Sequence, residues 1–312
     1  MAELDRSAAT VLDMIRLSGA PATHTLTPEQ ARLAYRAART ALSPEPPALA
    51  EIRDLTAPGR NGAIPLRLYR DGTDSAPRAG MVYLHGGGWV IGDLDTHDVV
   101  CRQLAQRTGA VIVAVDYRMG PEHKFPAAAD DAIDATAFVA ANAVGLGIDP
   151  NRLAIGGDSA GGNLAAVVAI DARNNHGPVL ALQALIYPSI AMSMTSPSQQ
   201  EFAEGYGLTR ETMIYFRNHY LRSQDDTNDW RASPIRAAHH ANLPPALIIT
   251  AGFDPLRDEG EDYARTLIAS GVPVTVRRFP GQIHGFITMG RIIPEATSAI
   301  DEIADAMAAR GL

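Results

Sequence analysis

Short apolar runs of strand length recur along the chain and alternate with longer, helical segments. These runs lie near residues 49–56, 64–70, 79–84, 110–115, 152–156, 180–186, 246–251 and 273–279. From about residue 97 onward a helical segment separates one run from the next, which is the order that βαβ units of a mostly parallel sheet produce. The pattern predicts an α/β fold with a mostly parallel eight-stranded sheet flanked by helices.

Two parts of the chain do not follow this alternation. The N-terminal part has helical stretches near 7–17 and 28–41, followed by a Pro-rich break at 43–47. Between 188 and 245 a Ser/Met/Gln-rich loop precedes a helix around 209–221 and an acidic loop. We interpret these parts as a helical cap over the strand ends. The predicted division is into N-terminal cap helices at 1–48, a core of 49–187 and 231–312, and a cap insertion at 188–230.

The segment Gly157-Asp158-Ser159-Ala160-Gly161 contains the pattern G-x-S-x-G. A strand-like run precedes it and an Ala-rich helical segment follows it, as in the strand-to-helix turn that exposes a nucleophilic serine. The flanking glycines remove Cβ atoms that would clash where strand and helix meet. A merely flexible turn would not require those neighbours. The context therefore predicts Ser159 as a nucleophile.

A nucleophilic serine needs a base, and the base needs an orienting acid. In this kind of sheet the chain order is serine, acid, histidine. Asp254 comes directly after the apolar run 246–253, and His284 comes in the loop after the run 273–279. Asp258 and Glu259 are the alternative acids, but they lie in the first turn of a helix, where carboxylates complement the helix dipole. We predict Asp254 as the acid and His284 as the base.

A glycine-rich loop, His85-Gly86-Gly87-Gly88-Trp89, follows the run 79–84. Enzymes with the serine turn use such a loop to present backbone N–H groups to an oxyanion. The N–H of Ala160 is a further candidate donor, because the first residue of a helix has no intrahelical acceptor and lies at the positive end of the dipole. We interpret Asp158 as an acceptor that ties the serine turn to the His85 loop.

The chain resembles the hormone-sensitive-lipase branch of the α/β-hydrolases, the bacterial family IV carboxylesterases with an HGGGW-type loop and a GDSAG turn. Further similarity lies in the segments Asp116–Ala128, Asp254–Gly260 and His284–Phe286, with Met119-Gly120 departing from the usual Leu-Ala. The resemblance implies the α/β-hydrolase fold with a helical cap, and oxyanion donors at Gly87, Gly88 and Ala160. It also implies a serine carboxylesterase that hydrolyses short- to medium-chain esters through an acyl-enzyme.

The substrate pocket is expected between the cap and Ser159, because a cap that packed only on itself would leave the site open to water. We expect it to include Trp89, Asp158, Tyr206, Leu208, Ile283 and Phe286. Two alternatives remain. Another acyl hydrolase, such as a lactonase or amidase, would use the same three residues. A non-catalytic receptor on the same fold is disfavoured because receptors that resemble this family lack the histidine that His284 supplies.

Composition limits the partners. The 312-residue chain has a formal net charge of −8 at pH 7, which argues against nucleic acid and against stable association with anionic membranes. Its single cysteine excludes internal disulfides and fits a cytoplasmic location, and its first twenty residues lack a signal-peptide pattern. Neither metal-ligand spacing nor a G-x-G-x-x-G loop occurs, so we expect no metal and no cofactor. A small-molecule ester is the expected partner, and a homodimer is left open.

Overall fold

One twisted sheet organises the computed structural model, which describes residues 3–73 and 76–312. The strands in the described part of the chain are β1 Glu51–Gly59, β2 Gly62–Arg70, β3 Arg78–Leu84, β4 Val111–Val115, β5 Ile148–Asp158, β6 Leu182–Ile186, β7 Ala246–Phe253 and β8 Val274–Ile283. Their order in the sheet is β1-β2-β4-β3-β5-β6-β7-β8. Strand β2 pairs antiparallel with β1 and β4, and every other pairing is parallel. The predicted mostly parallel, eight-stranded sheet is confirmed.

Helices cover both faces of this sheet. In the described residues they are α1 Arg6–Leu17, α2 Pro28–Leu42, α3 Asp98–Thr108, α4 Ala127–Ala141, α5 Ala160–Asn174, α6 Pro197–Glu201, α7 Arg210–Tyr220, α8 Arg257–Ala269 and α9 Glu295–Ala308. One buried cluster joins the sheet to α4, α5 and α8, and a second joins its other face to α1, α3 and α9. No helix within 3–73 or 76–312 has both the length and the apolar character of a bilayer span.

Strands β5 and β8 extend furthest beyond the apolar runs that predict them. Strand β5 begins at Ile148 because Ile148 pairs with Arg78 ahead of a register shift in β3. Strand β8 continues to Ile283, which pairs with Phe253 after a second register shift. These extensions depend on pairing with a neighbouring strand, which the hydrophobic pattern of a single segment does not show.

The parallel strands bring their carboxyl ends to one edge of the sheet. Strand β3 ends at Leu84 and leads into the His85 loop, β5 leads into Ser159, β7 into Asp254 and β8 into His284. Open α/β sheets bind ligands at this edge. All four sequence motifs therefore meet on one side of the molecule.

Helix α2 is attached above this edge by Arg32. Its guanidinium donates to the carbonyl oxygens of Val90 and Gly120, each at 2.9 Å, and pairs with Glu122 at 2.6 Å. The hydrogen bond from Arg32 lowers the pKa of Glu122 to about 2, although partial burial opposes the shift. These polar contacts fix an N-terminal helix to Val90, which directly follows the glycine-rich loop, and to the segment 120–122.

Candidate active site

Ser159 occupies a tight turn between β5 and α5. Its backbone has φ of 55° and ψ of −116°, a left-handed conformation that costs energy for a residue other than glycine. The turn is held because Ser159 N–H donates to the Ile186 carbonyl at 2.8 Å and the Ser159 carbonyl accepts from Asn163 N–H at 3.0 Å. A Cβ atom on Gly161 would collide with the carbonyl oxygen of Leu84. Glycine at that position lets the helix approach the end of β3.

A hydrogen-bonded chain connects Ser159, His284 and Asp254. The distance from Ser159 Oγ to His284 Nε2 is 2.9 Å, and that from His284 Nδ1 to Asp254 Oδ2 is 2.8 Å. An ionised carboxylate only accepts, so Nδ1 carries the ring proton and Nε2 accepts the serine O–H. Asp254 is fully buried, and its second oxygen accepts from Leu256 N–H at 2.8 Å. The arrangement can remove a proton from the serine hydroxyl.

The glycine-rich loop leaves backbone donors free beside Ser159. Within residues 3–73 and 76–312, neither Gly87 N–H nor Gly88 N–H donates to a backbone or side-chain acceptor, although both residues line the same cavity as Ser159. Gly87 has φ of 127°, and its carbonyl oxygen accepts from Ile91 N–H at 2.9 Å. Ala160 is the first residue of α5, so its N–H has no intrahelical acceptor. These three N–H groups are available to an oxyanion.

Asp158 links the serine turn to the glycine-rich loop. Its Oδ1 accepts from Gly86 N–H and from the Tyr83 hydroxyl, both at 3.0 Å, and His97 Nε2 lies 3.3 Å away. Burial disfavours the charged form, but the nearby His97 and the Tyr83 hydrogen bond outweigh it and lower the pKa of Asp158. Asp158 therefore has the contacts of a structural acceptor.

His85 supports the loop from behind. Its ring stacks on Tyr117 with centroids 4.3 Å apart, and Nδ1 donates to the Gly86 carbonyl at 2.8 Å. Burial, reinforced by His97, lowers the pKa of His85 to about 4. A ring that stays neutral through the physiological range keeps this packing unchanged with pH.

A cavity of about 790 Å³ opens above Ser159 between the sheet edge and helices α1, α2 and α7. Four residues predicted for the pocket line it: Trp89, Asp158, Leu208 and Ile283. The other two residues, Tyr206 and Phe286, do not line this cavity. Tyr206 turns away to stack on Phe253, with centroids 5.3 Å apart. Phe286 is fully buried behind the cavity wall, where its ring packs on Phe279.

Glu259 has contacts that the sequence interpretation missed. It lies in the first turn of α8, as expected for a residue that complements the helix dipole, but its side chain is buried. Glu259 Oε1 accepts from Ile190 N–H at 2.7 Å and Ala191 N–H at 3.2 Å, and Oε2 accepts from Gln199 at 2.7 Å. The carboxyl group thus fixes the loop that contributes Ala191 to the cavity. Burial raises the pKa of Glu259 to about 8 despite the two backbone hydrogen bonds.

In the part of the chain that the structure describes, no three His, Cys, Asp or Glu side chains are grouped so as to hold a metal ion.

Asp258, one of the alternative acids, points away from His284. It accepts from Ser198 N–H at 2.8 Å and pairs with Arg257 at 2.8 Å.

Comparison with known proteins gives matches over nearly the whole chain. A family model described as the alpha/beta hydrolase fold matches residues 81–288. An ethyl acetate hydrolase from Pseudomonas putida is 38% identical over 98% of this chain and 95% of its own length. The carboxylic ester hydrolase LipN from Mycobacterium tuberculosis is 41% identical over 85% of this chain and 72% of its own. An ester hydrolase from the metagenome of Lake Arreo, solved with a derivative of bipyridine phosphonate, is 40% identical with a TM-score of 0.95 and 98% coverage of both chains.

Replacing Glu259 with Gln should change how stability depends on pH. The pKa of Glu259 rises on folding from its ordinary 4.5 to about 8, so the wild-type side chain favours the folded state fully below about pH 4.5. That contribution is lost progressively as the pH rises from about 4.5 to about 8, because the unfolded side chain ionises while the folded one stays protonated. Between pH 5 and pH 8 the wild type should therefore lose on the order of a few kcal/mol relative to Glu259→Gln. Urea unfolding of both proteins at several pH values measures this difference, and parallel stability curves would contradict the prediction.

Proposed function

Since this chain belongs to the α/β-hydrolase family and is a carboxylic ester hydrolase, we propose that it cleaves short- to medium-chain esters through an acyl-enzyme on Ser159. The observation that carries the proposal is the hydrogen-bonded chain from Ser159 through His284 to Asp254 at the floor of the cavity. Unpaired N–H groups in the neighbouring glycine-rich loop support it. On this proposal, one edge of the sheet carries the nucleophile, the base, the acid and the oxyanion donors.

In the first half of the reaction, His284 Nε2 takes the hydroxyl proton as Ser159 Oγ attacks the ester carbonyl carbon. The carbonyl oxygen becomes an oxyanion and accepts hydrogen bonds from the N–H groups of Gly87, Gly88 and Ala160. The imidazolium then gives its proton to the leaving alcohol oxygen, and the C–O bond breaks. Ser159 is left acylated.

In the second half, His284 takes a proton from water, and the resulting hydroxide attacks the acyl carbon. The imidazolium returns this proton to Ser159 Oγ, which leaves, and the carboxylic acid is released. Asp254 holds the ring proton on Nδ1 throughout and stabilises the imidazolium that forms twice. Its full burial makes the charge pair more effective than it would be in water.

The cavity supports the preference for acyl chains of limited length. Its volume of about 790 Å³ falls in the range of small-molecule sites. Its walls include apolar residues of α1, α2 and α7 as well as residues of the sheet edge. Residues of both non-sheet segments therefore surround the cavity above Ser159. We propose on this basis that 1–48 and 188–230 form a cap over a core of 49–187 and 231–312.

Ser159→Ala should abolish ester hydrolysis because it removes the hydroxyl that His284 deprotonates and that carries the acyl group. Its turnover should fall by at least about 10⁴-fold with unchanged unfolding free energy, and a phosphonate ester should label wild-type Ser159 alone. Ser18→Ala is the matched control, since Ser18 lines the same cavity but lies outside the hydrogen-bonded chain. A Ser159→Ala protein with a tenth of wild-type turnover would refute the assignment.

Asp254→Asn should cost on the order of 10⁴-fold in turnover, because an amide at that position favours the wrong ring tautomer of His284. Asp258→Asn should leave turnover within a few-fold and mainly reduce stability, because its partners are Arg257 and Ser198. Stopped-flow or steady-state kinetics on one p-nitrophenyl ester compares the two variants. Equal losses of turnover in the two variants would show that Asp254 is not the acid that orients His284.

Catalytic efficiency should pass through a maximum as the acyl chain grows. Each methylene buried against the apolar wall contributes about 0.8 kcal/mol until the cavity is filled, after which the trend reverses. The measurement is kcat/KM for p-nitrophenyl esters from acetate to palmitate. A steady rise to the longest chain, or activation by emulsified triglyceride, would contradict a closed pocket.

A further inference from the structure

The cavity wall carries a buried arginine that the ester hydrolysis described above does not use. Arg39 lies in the last turn of α2, is 7% exposed and lines the cavity together with Ser159 and His284. One guanidinium nitrogen donates to the Thr288 hydroxyl, while Nε is buried without a hydrogen-bond partner. No carboxylate among residues 3–73 and 76–312 forms an ion pair with it.

Burying a cation without an ion-pair partner costs free energy of desolvation. Either the surrounding protein groups or a bound ligand must offset that cost. The Tyr35 ring lies under the guanidinium carbon at 4.9 Å, and the C-terminal end of α2 adds partial negative charge. The Thr288 hydroxyl contributes one acceptor, because it gives its own proton to the Gly285 carbonyl at 2.9 Å. These groups partly compensate the positive charge of Arg39, but none of them is an anion.

The other charged groups of the cavity do not neutralise Arg39. Arg16 and Asp13 pair with each other at 3.0 Å. Asp158 is turned toward Tyr83 and Gly86 by its hydrogen bonds, and its Oδ1 lies 3.3 Å from His97 Nε2. Arg217 donates to the Met192 carbonyl at 3.2 Å and to Gln224 at 3.3 Å, so it too has no carboxylate partner among the described residues. The cavity is therefore positive within a chain whose net charge is −8.

We propose that Arg39 binds an anionic group of the substrate, and that the preferred esters carry a carboxylate on their acyl or alcohol part. This inference rests on the proposed ester hydrolysis at Ser159 and specifies its substrate class. A guanidinium matches a carboxylate with two parallel hydrogen bonds, which fixes orientation as well as supplying energy. Arg39 contacts Thr288, four residues after His284, so a bound carboxylate would lie on the His284 side of the cavity.

The acyl arm of the test compares monoethyl esters of succinic, glutaric and adipic acid with the ethyl esters of the corresponding monoamides. Each pair has nearly the same shape and differs by one charge, and ethanol release measures kcat/KM. The alcohol arm compares the butyrate ester of 3-hydroxybenzoate with that of 3-hydroxybenzamide. In at least one arm the wild type should prefer the anionic member about 10-fold or more, as expected for a hydrogen-bonded charge pair.

Arg39→Met should remove this preference, lowering kcat/KM for the anionic ester about 10- to 100-fold and for its neutral partner less than about 3-fold. Arg39→Lys should keep part of the preference, because it keeps the charge but loses the bidentate geometry. Arg16→Met is the matched control, since Arg16 lines the same cavity but is already paired with Asp13. It should leave the preference unchanged.

Equal losses on both members of a pair, or no wild-type preference for the anion in either arm, would overturn the inference. Arg39 would then serve only to attach α2 to the loop after His284. If Arg39→Met fails to fold, the wild-type pairs and Arg39→Lys decide between these outcomes. Failure of the proposed ester hydrolysis at Ser159 would give a different result from failure of the Arg39 inference. In that case Ser159→Ala would still hydrolyse the neutral esters.

Discussion

The left-handed backbone at Ser159 is the constraint on which the site depends. With φ of 55°, the chain reverses from β5 into α5 within one residue, so the serine side chain projects from the sheet edge and the N-terminus of α5 faces the same space. The strained turn persists because the surrounding packing leaves it no alternative. Gly161 permits this packing, since any larger residue would meet the Leu84 carbonyl. The same close contact aligns the end of β3, and hence the glycine-rich loop, with Ser159.

Asp158 makes that alignment rigid. It immediately precedes Ser159 and binds Gly86 N–H in the loop that carries the free donors. A shift of the loop relative to the serine would leave a buried carboxylate without its partner, which costs several kcal/mol. The serine turn and the unpaired N–H groups of the loop are therefore held in one relative position. Catalysis by preorganised donors requires this, because a donor that must reorient during the reaction stabilises the oxyanion less.

The upper part of the cavity is positioned by two ionisable side chains that hydrogen-bond to backbone atoms. Arg32 binds the carbonyl oxygens of Val90 and Gly120, and Glu259 binds the N–H groups of Ile190 and Ala191. Such hydrogen bonds fix the position of helices and loops above Ser159 because their geometry is directional. Arg39 differs from both, because its guanidinium reaches the cavity and keeps a buried nitrogen unpaired.

The sequence by itself determined the sheet and the residues of the hydrogen-bonded chain. Strand–turn–helix order around Ser159, and the positions of Asp254 and His284 directly after strands, are local features that parallel topology brings to one edge. It did not determine which side chains face the cavity: Tyr206 and Phe286 turn away because aromatic partners hold them elsewhere. Nor did it reveal Glu259 or Arg39, whose burial depends on loops and helices far apart in the chain. Tertiary structure decides such features, because desolvation of a charge depends on every element packed around it and not on the segment that carries it.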